Sequence, residues 1–277
     1  MKHGESVLSR PGPVALYMQW WLPESAPKAS LALVHGLGEH SGRYVNLVKT
    51  LTDRGIAVYA ADNRGFGKSS GKRGHVMSWR EYSDDTAAFL GRIREIKGPE
   101  PLFLMGHSMG GLIVLSNLLD SSPGDLKGVI LSGPALSQGA VSPVLLMLGR
   151  IVSKIVPSFT LNTKLDSKAI SRDPEVVAAY ESDPLVHSLA SARMGTEMGI
   201  AMERVKSEAG RIKQPLLIVH GGADRLVEPH TSRELLEALG SADKTRIEYP
   251  SYYHEPHNDL DWQKPVGDIA DWMEKHI

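Results

Sequence analysis

The sequence predicts an α/β fold: a mostly parallel central sheet covered by helices on both faces, with one helical insertion. Three observations predict it. Short β-rich runs alternate with longer helical patterns over most of the chain. Those runs are apolar throughout rather than alternating with polar residues, as expected of strands buried on both faces. One stretch, 137–210, carries helix and loop signals but no clear strand, and it reads as a cap (lid) over the carboxyl edge of the sheet. At 277 residues the chain can bury one such core. No repeat or low-complexity linker divides it, so the reading is a single domain, 1–277, with the cap inside it.

Each element has its own signal. Val14–Trp21 is β-prone and suits an antiparallel edge. Leu31–Val34, Ile56–Ala61, Leu102–Met105, Val129–Leu131, Pro215–Val219 and Thr245–Tyr249 read as strands. Ser78-x-x-Glu81 has the spacing of a capping box and opens a helix to about Ile96. Further helices are expected over Ser108–Leu119, Thr231–Leu239 and Pro265–Lys275. Inside the cap, the apolar stretch Val144–Val156 is interrupted by Gly149, Arg150, Ser153 and Lys154 and reads as an amphipathic helix.

Composition excludes several classes. Hydrophobic residues make up 42% and charged residues 23%, an ordinary globular balance. With 31 basic and 32 acidic residues the net charge is -1, so no phosphate-binding face is indicated and nucleic acid is not an expected partner. The absence of cysteine removes disulfides, thiolate metal sites and cysteine nucleophiles. The first residues lack the apolar core of a signal peptide, and no apolar run is long enough to span a bilayer. A cytoplasmic protein is expected, peripheral to membranes at most.

Gly106-His107-Ser108-Met109-Gly110 matches the G-x-S-x-G nucleophile elbow, in which a serine sits on a tight turn between strand and helix. The pattern is weak alone: with 27 Gly and 27 Ser in the chain, chance supplies about 0.25 matches. A second match does occur, Gly67-Lys68-Ser69-Ser70-Gly71. Context separates them. Ser108 has a buried strand before it and an apolar helix after it; Ser69 has loop on both sides. Gly67-Lys68-Ser69 also imitates the end of a phosphate-binding loop, but Asp62 stands where that pattern needs glycine.

A serine hydroxyl needs an imidazole to take its proton and a carboxylate to orient that imidazole. In the α/β-hydrolase fold these follow in the order Ser, acid, His. Strand Pro215–Val219 runs into His220-Gly-Gly-Ala-Asp224, which makes Asp224 the favoured acid and Glu228 the distant alternative. His254, early in the loop after Thr245–Tyr249, is the expected base, with His257 the runner-up. The two histidines lack a third ligand at metal spacing, so neither metal nor cofactor is expected. The oxyanion donors are assigned to the backbone N–H of Met109 and of Leu37, in the glycine-rich His35-Gly-Leu-Gly38.

At this point the chain resembles the monoacylglycerol lipases and related lysophospholipase-like serine hydrolases. The resemblance rests on His35-Gly-Leu-Gly-Glu-His-Ser-Gly-Arg-Tyr44, Asp62-Asn-Arg-Gly-Phe-Gly-Lys-Ser69, Gly106-His-Ser-Met-Gly-Gly111, Tyr180-Glu-Ser-Asp-Pro-Leu185, Gly222-Ala-Asp-Arg-Leu226 and Tyr253-His-Glu255. It implies hydrolysis of a monoglyceride to glycerol and a fatty acid. It also implies that Glu39, Arg43, Tyr180 and His257 hold the glycerol end, and that an apolar cap face meets membranes. A local salt bridge supporting the oxyanion loop is an equal reading of Glu39 and Arg43. A lysophospholipase or short-chain carboxylesterase would keep the same fold and triad. A non-catalytic binding relative is disfavoured by the intact triad, and an aspartate-nucleophile relative by serine at 108.

Overall fold

The structure, a computed structural model, describes all residues except 122, 138–142 and 164; side chains are also left undescribed at 143–146. Its elements are β1 (Lys2–Ser9), β2 (Ala15–Leu22), β3 (Ala29–Val34), α1 (Val45–Asp53), β4 (Ile56–Ala61), α2 (Arg80–Ile96), β5 (Leu102–His107), α3 (Met109–Ser121) and β6 (Leu126–Ser132). Then follow α4 (Pro143–Ile155), β7 (Thr160–Asn162), α5 (Pro174–Ser182), β8 (Leu189–Ser191), α6 (Ala192–Glu208), β9 (Leu216–Gly221), α7 (Pro229–Ala238), β10 (Lys244–Tyr249) and α8 (Gln263–Lys275).

Eight strands form one sheet in the order β1-β2-β4-β3-β5-β6-β9-β10. The six strands from β4 to β10 in that order are parallel; β1 pairs antiparallel with β2, and β2 antiparallel with β4. The apolar runs explain the two-sided burial. Along β3 and β5, Ala32, Val34, Leu102 and Leu104 join one core with Phe89, Leu112 and Val205 from α2, α3 and α6. Their neighbours Leu31, Leu33, Phe103 and Met105 join a second core with Leu47 and Leu51 of α1 and Ile269 and Met273 of α8. The period of two along each strand thus feeds both faces with apolar side chains, each contributing about 1.5–3 kcal/mol when fully buried. This is the α/β-hydrolase architecture.

Several boundaries differ from expectation. Helix α2 starts at Arg80, because Glu81 folds back to accept the N–H of Met77 and Ser78 (2.8 and 3.1 Å) while the Ser78 hydroxyl accepts the Arg80 N–H (3.2 Å). The box therefore closes around Ser78, one residue before the N-cap Trp79, with the serine bonded to the Arg80 rather than the Glu81 N–H. Helix α7 starts at Pro229, a residue suited to the first helical turn since it has no N–H to satisfy. The region 137–210 was expected to lack strands; it holds two three-residue strands, β7 and β8, paired antiparallel from Thr160–Ser191 to Asn162–Leu189. Strand β1 was not anticipated: its eight residues, KHGESVLS, carry few apolar side chains.

Residues 183–191 meet the loops that follow β3 and β4. Gly74 accepts the Ser191 N–H (2.7 Å), and Phe66 stacks on His187 with ring centroids 4.8 Å apart. His40 meets Asp183 at 2.9 Å.

Candidate active site

Apart from Tyr180, which α5 carries, the candidate residues lie in segments that follow the carboxyl ends of parallel strands, where an open α/β sheet places its sites. Strand β5 ends at His107, and Ser108 follows with φ 52, the left-handed region that a side chain enters only at a cost. The turn is held by the Ser108 N–H donated to the Ser132 carbonyl (2.9 Å) and by the Ser108 carbonyl accepting from Gly111 and Ala135 (2.9 and 3.0 Å). The flanking glycines are steric necessities. A Cβ on Gly106 would stand 2.4 Å from the Gly110 carbonyl oxygen, and one on Gly110 would stand 2.2 Å from that of Val34.

Asp224 is buried in the loop after β9. Its Oδ2 accepts from His254 Nδ1 at 2.7 Å and from His220 Nε2 at 3.2 Å. Its Oδ1 accepts the N–H of Leu226 and Val227 at 2.8 and 2.9 Å. Burial favours the neutral acid, but the charge of His254 and these hydrogen bonds outweigh it and hold the carboxyl well below the usual range. The loop that carries Asp224 is bound to the loop that carries His254: Gly222 and Ala223 donate to the carbonyls of Tyr249 and Tyr252 (2.7 and 3.0 Å). Glu228, the alternative acid, is exposed at the start of α7 and meets Ser137 (3.3 Å).

His254 is buried beside the elbow, its ring 4.8 Å from that of His107. Burial alone would lower its pKa. The charge and hydrogen bond of Asp224, with Glu255 and Glu39 beyond, raise it above the ordinary histidine value. Ser108 and His254 line one cleft together with Gly36, Leu37, Glu39, His107, Leu165, Ile170, Tyr180, Leu226 and Glu255. Leu37 follows β3, and Met109 opens α3, whose first-turn N–H groups have no partner within the helix.

The four polar residues named with the glycerol end divide. Glu39 and Tyr180 line the cleft. Glu39 Oε1 also accepts the Gly36 N–H (2.6 Å) and the Tyr44 hydroxyl (2.8 Å), so it shapes the loop that carries Leu37. Arg43 bridges two carboxylates, Glu39 at 3.1 Å and Glu255 through two bonds of 2.6 and 2.9 Å, and its guanidinium lies 4.7 Å from the Tyr180 ring centroid. His257 lies beneath this cluster, stacked on Tyr44 at 4.8 Å, with neither ring nitrogen hydrogen-bonded. Burial and the nearby His107 push it down to about 3, so it is neutral. Glu255 and His220 were not singled out from the sequence. Glu255 had a signal in Tyr253-His-Glu255; His220 had one in its four-residue spacing from Asp224. Among the described residues, no group of His, Asp or Glu is arranged to hold a metal ion.

The profile of the family described as "Serine aminopeptidase, S33" matches residues 25–261. A curated monoacylglycerol lipase of Mycolicibacterium smegmatis is 36% identical over 273 residues, 96% of this chain and 95% of that protein. The chain belongs to the monoacylglycerol lipase family. Another member, the monoglyceride lipase of Rattus norvegicus, is 32% identical over 95% of this chain and 88% of its own. Among solved structures, the monoacylglycerol lipase of Paleococcus ferrophilus is 38% identical with a TM-score of 0.86, covering 95% of this chain and 99% of that one. A soluble variant of the Saccharomyces cerevisiae monoglyceride lipase, at 23% identity and a TM-score of 0.86, shares the fold.

Proposed function

We propose that this chain is a serine ester hydrolase that cleaves monoacylglycerols to glycerol and a free fatty acid. In this reading His254 Nε2 takes the Ser108 proton as Oγ attacks the ester carbonyl. The carbonyl oxygen becomes an oxyanion facing the N–H groups of Leu37 and Met109. The carbon–oxygen bond to glycerol then breaks, and the imidazolium returns its proton to the leaving alkoxide. Water repeats the sequence on the acyl-serine and releases the acid. Asp224 keeps Nδ1 protonated and stabilises the imidazolium.

The observation that carries the reading is the Asp224–His254 contact of 2.7 Å, with the His254 ring lining a cleft together with left-handed Ser108 and two polar side chains, Glu39 and Tyr180. The full-length likeness to proteins named monoacylglycerol lipase supports the substrate. Arg43 and His257 serve the glycerol end indirectly in this reading, Arg43 by fixing Glu39 and His257 by packing under Tyr44. Residues 137–210 act as the cap within a single 1–277 domain. The cleft holds about 20 Å³, far below the roughly 300 Å³ or more of a ligand site, so an acyl chain enters as the cap parts lined by Leu165, Ile170 and Tyr180 shift.

A panel of monoglycerides, lysophospholipids and p-nitrophenyl esters tests the substrate. Monoglyceride should lead in kcat/KM at matched chain length; a lysophospholipid ahead of it would replace this reading. Asp224→Asn should lower kcat on the order of 10⁴-fold, and His257→Ala should be much milder.

Membrane contact belongs to the same proposal. No helix among the described residues is long and apolar enough to cross a membrane. Helix α4 and its exit leave Leu148, Ile151, Ile155 and Val156 exposed (48, 48, 74 and 49%) beside exposed Arg150 and Lys154, a pattern suited to an anionic lipid surface. The side chains of Val144 and Leu145, part of the same expected stripe, lie outside the described residues. Leu148→Ser with Ile155→Ser should weaken liposome sedimentation and hydrolysis in vesicles while leaving a soluble ester unaffected. Loss of both activities with a lower Tm would assign the stripe to packing.

A further inference from the structure

We propose that His220 is a positioning residue for the triad: its Nε2–H holds the Asp224 carboxylate on His254 and limits how strongly that carboxylate attracts the imidazolium. The inference rests on the reading of Asp224 as the triad acid. His220 is the penultimate residue of β9 and is fully buried. Its Nε2 faces two acceptors, Asp224 Oδ2 at 3.2 Å and the Val227 carbonyl at 3.1 Å. A ring nitrogen between two acceptors carries the proton. That assignment holds whichever way the other nitrogen is disposed, because Nδ1 meets the Ser232 hydroxyl at 2.8 Å, which can donate or accept.

The ring is fixed from behind. Ser232 Oγ accepts from Arg246 Nε at 2.9 Å and lies 3.0 Å from the Pro229 carbonyl. A chain of contacts thus runs from β10 through α7 and β9 to Asp224. On Oδ2 the His254 and His220 donors converge; on Oδ1 two backbone N–H groups hold the loop. Removing His220 leaves Oδ2 with His254 alone. The carboxylate is then freer to rotate, and it becomes more basic because one donor to its charged form is gone. Both consequences reach the serine only through His254. The ionisable groups acting on His254 are Asp224, Glu255 and Glu39, with His107 packed alongside. Those within reach of His220 are Asp224 and, across Ser232, Arg246.

The test compares His220→Leu with His220→Gln, whose amide can supply one N–H toward Oδ2, on a soluble p-nitrophenyl ester. His220→Leu should lower kcat about 10-fold to 100-fold, by analogy with the loss seen when a hydrogen bond that orients a metal ligand is removed, with KM little changed. The acid limb of the kcat/KM profile should move to higher pH as His254 becomes harder to deprotonate. His220→Gln should recover most of kcat and return the limb. The proposal is overturned if His220→Leu keeps kcat and limb, or if Gln loses as much as Leu. Should His220→Leu fail to fold, Ser232→Ala keeps the test open: it frees the ring, and an unmoved limb there sinks the idea. Asp224→Asn is the control. If it stays active, the triad reading itself fails; if it collapses while His220→Leu does not, only this inference fails.

Discussion

Two Gly-x-Ser-x-Gly segments lie in this chain, at 67–71 and 106–110, and the fold uses them for different ends. In both, the first glycine is sterically required: a Cβ on Gly67 would stand 2.1 Å from Asp62 Oδ2, and one on Gly106 2.4 Å from the Gly110 carbonyl oxygen. Glycine therefore marks close packing in each and does not distinguish them. The serines do. Ser69 is buried with its hydroxyl donated to the Asp62 carbonyl (2.6 Å) and accepting the Tyr17 N–H (2.9 Å), which ties the loop to β2. Ser108 takes a positive φ, follows the strand β5 inside the sheet, immediately precedes α3 and faces the cleft. A nucleophile must be strained outward and free of structural duties; a serine that closes a loop is the opposite.

The largest expected effect follows from that contrast. Ser108→Ala should lower kcat by about 10⁴-fold or more, and a fluorophosphonate should label Ser108 alone. Ser69→Ala should label normally. An adduct on Ser69, or labelling that survives Ser108→Ala, would reverse the assignment.

The residue before each serine sharpens the comparison through pH. His107 is buried, and burial, with His254 nearby, pushes its pKa down to about 3; Lys68 in the matching position is half-exposed. His257 is depressed in the same way. In the unfolded chain these imidazoles titrate near 6.5. Below that pH the unfolded state gains protons that the folded state refuses, so stability is full above about 6.5 and falls as pH drops toward 3. Urea midpoints measured across this window should decline steeply. His107→Asn, which keeps a donor for the Ser132 carbonyl, should flatten the slope, and Lys68→Gln should leave it unchanged. Equal slopes in wild type and His107→Asn would show that His107 is not held neutral.

How much was legible follows from how each feature is encoded. Strands such as Leu31–Val34 and Leu102–Met105 are buried on both faces, so their apolar runs announced them, whereas the order of the strands was not read from the sequence. Strand β1 lies at the sheet edge, where backbone pairing to β2 holds a polar segment and Gly4 packs under Trp20; no hydrophobic pattern is needed there. Strands β7 and β8 are three residues each and depend on meeting one another. In the site, Asp224 and His254 were readable because each follows a recognisable strand, and they lie 2.7 Å apart. Glu255 pairs with Arg43, far away in sequence, and His220 shares Asp224 Oδ2 with the equally remote His254; only the closed fold shows those meetings.

A smaller effect separates the serines by stability. Ser69→Ala strands the buried Tyr17 N–H and leaves the Asp62 carbonyl short of a donor, a cost of about 1–3 kcal/mol. Its Tm should fall by several degrees with kcat intact. Ser108→Ala removes a hydroxyl at the edge of the cleft and should leave Tm close to that of wild type. A Tm loss at Ser108 as large as at Ser69 would mean that the nucleophile turn also depends on its hydroxyl.

The smallest effect is a reversal of sign between the two sites. Glycine at either serine position removes the hydroxyl just as alanine does, so Gly against Ala isolates the backbone. At position 108 the φ of 52 costs an alanine roughly 1–2 kcal/mol that a glycine does not bear. Against this, glycine gives the unfolded chain extra freedom, worth about 0.5–1 kcal/mol. The strain outweighs the entropy, and Ser108→Gly should melt above Ser108→Ala by a degree or two. At position 69 φ is not positive, only the entropy remains, and Ser69→Gly should melt below Ser69→Ala. Thermal melts of the four inactive or active variants, read as two differences, decide it. If Ser108→Gly is the less stable of its pair, the elbow carries no stored backbone strain, and the outward posture of Ser108 must come from the Ser132 and Ala135 hydrogen bonds alone.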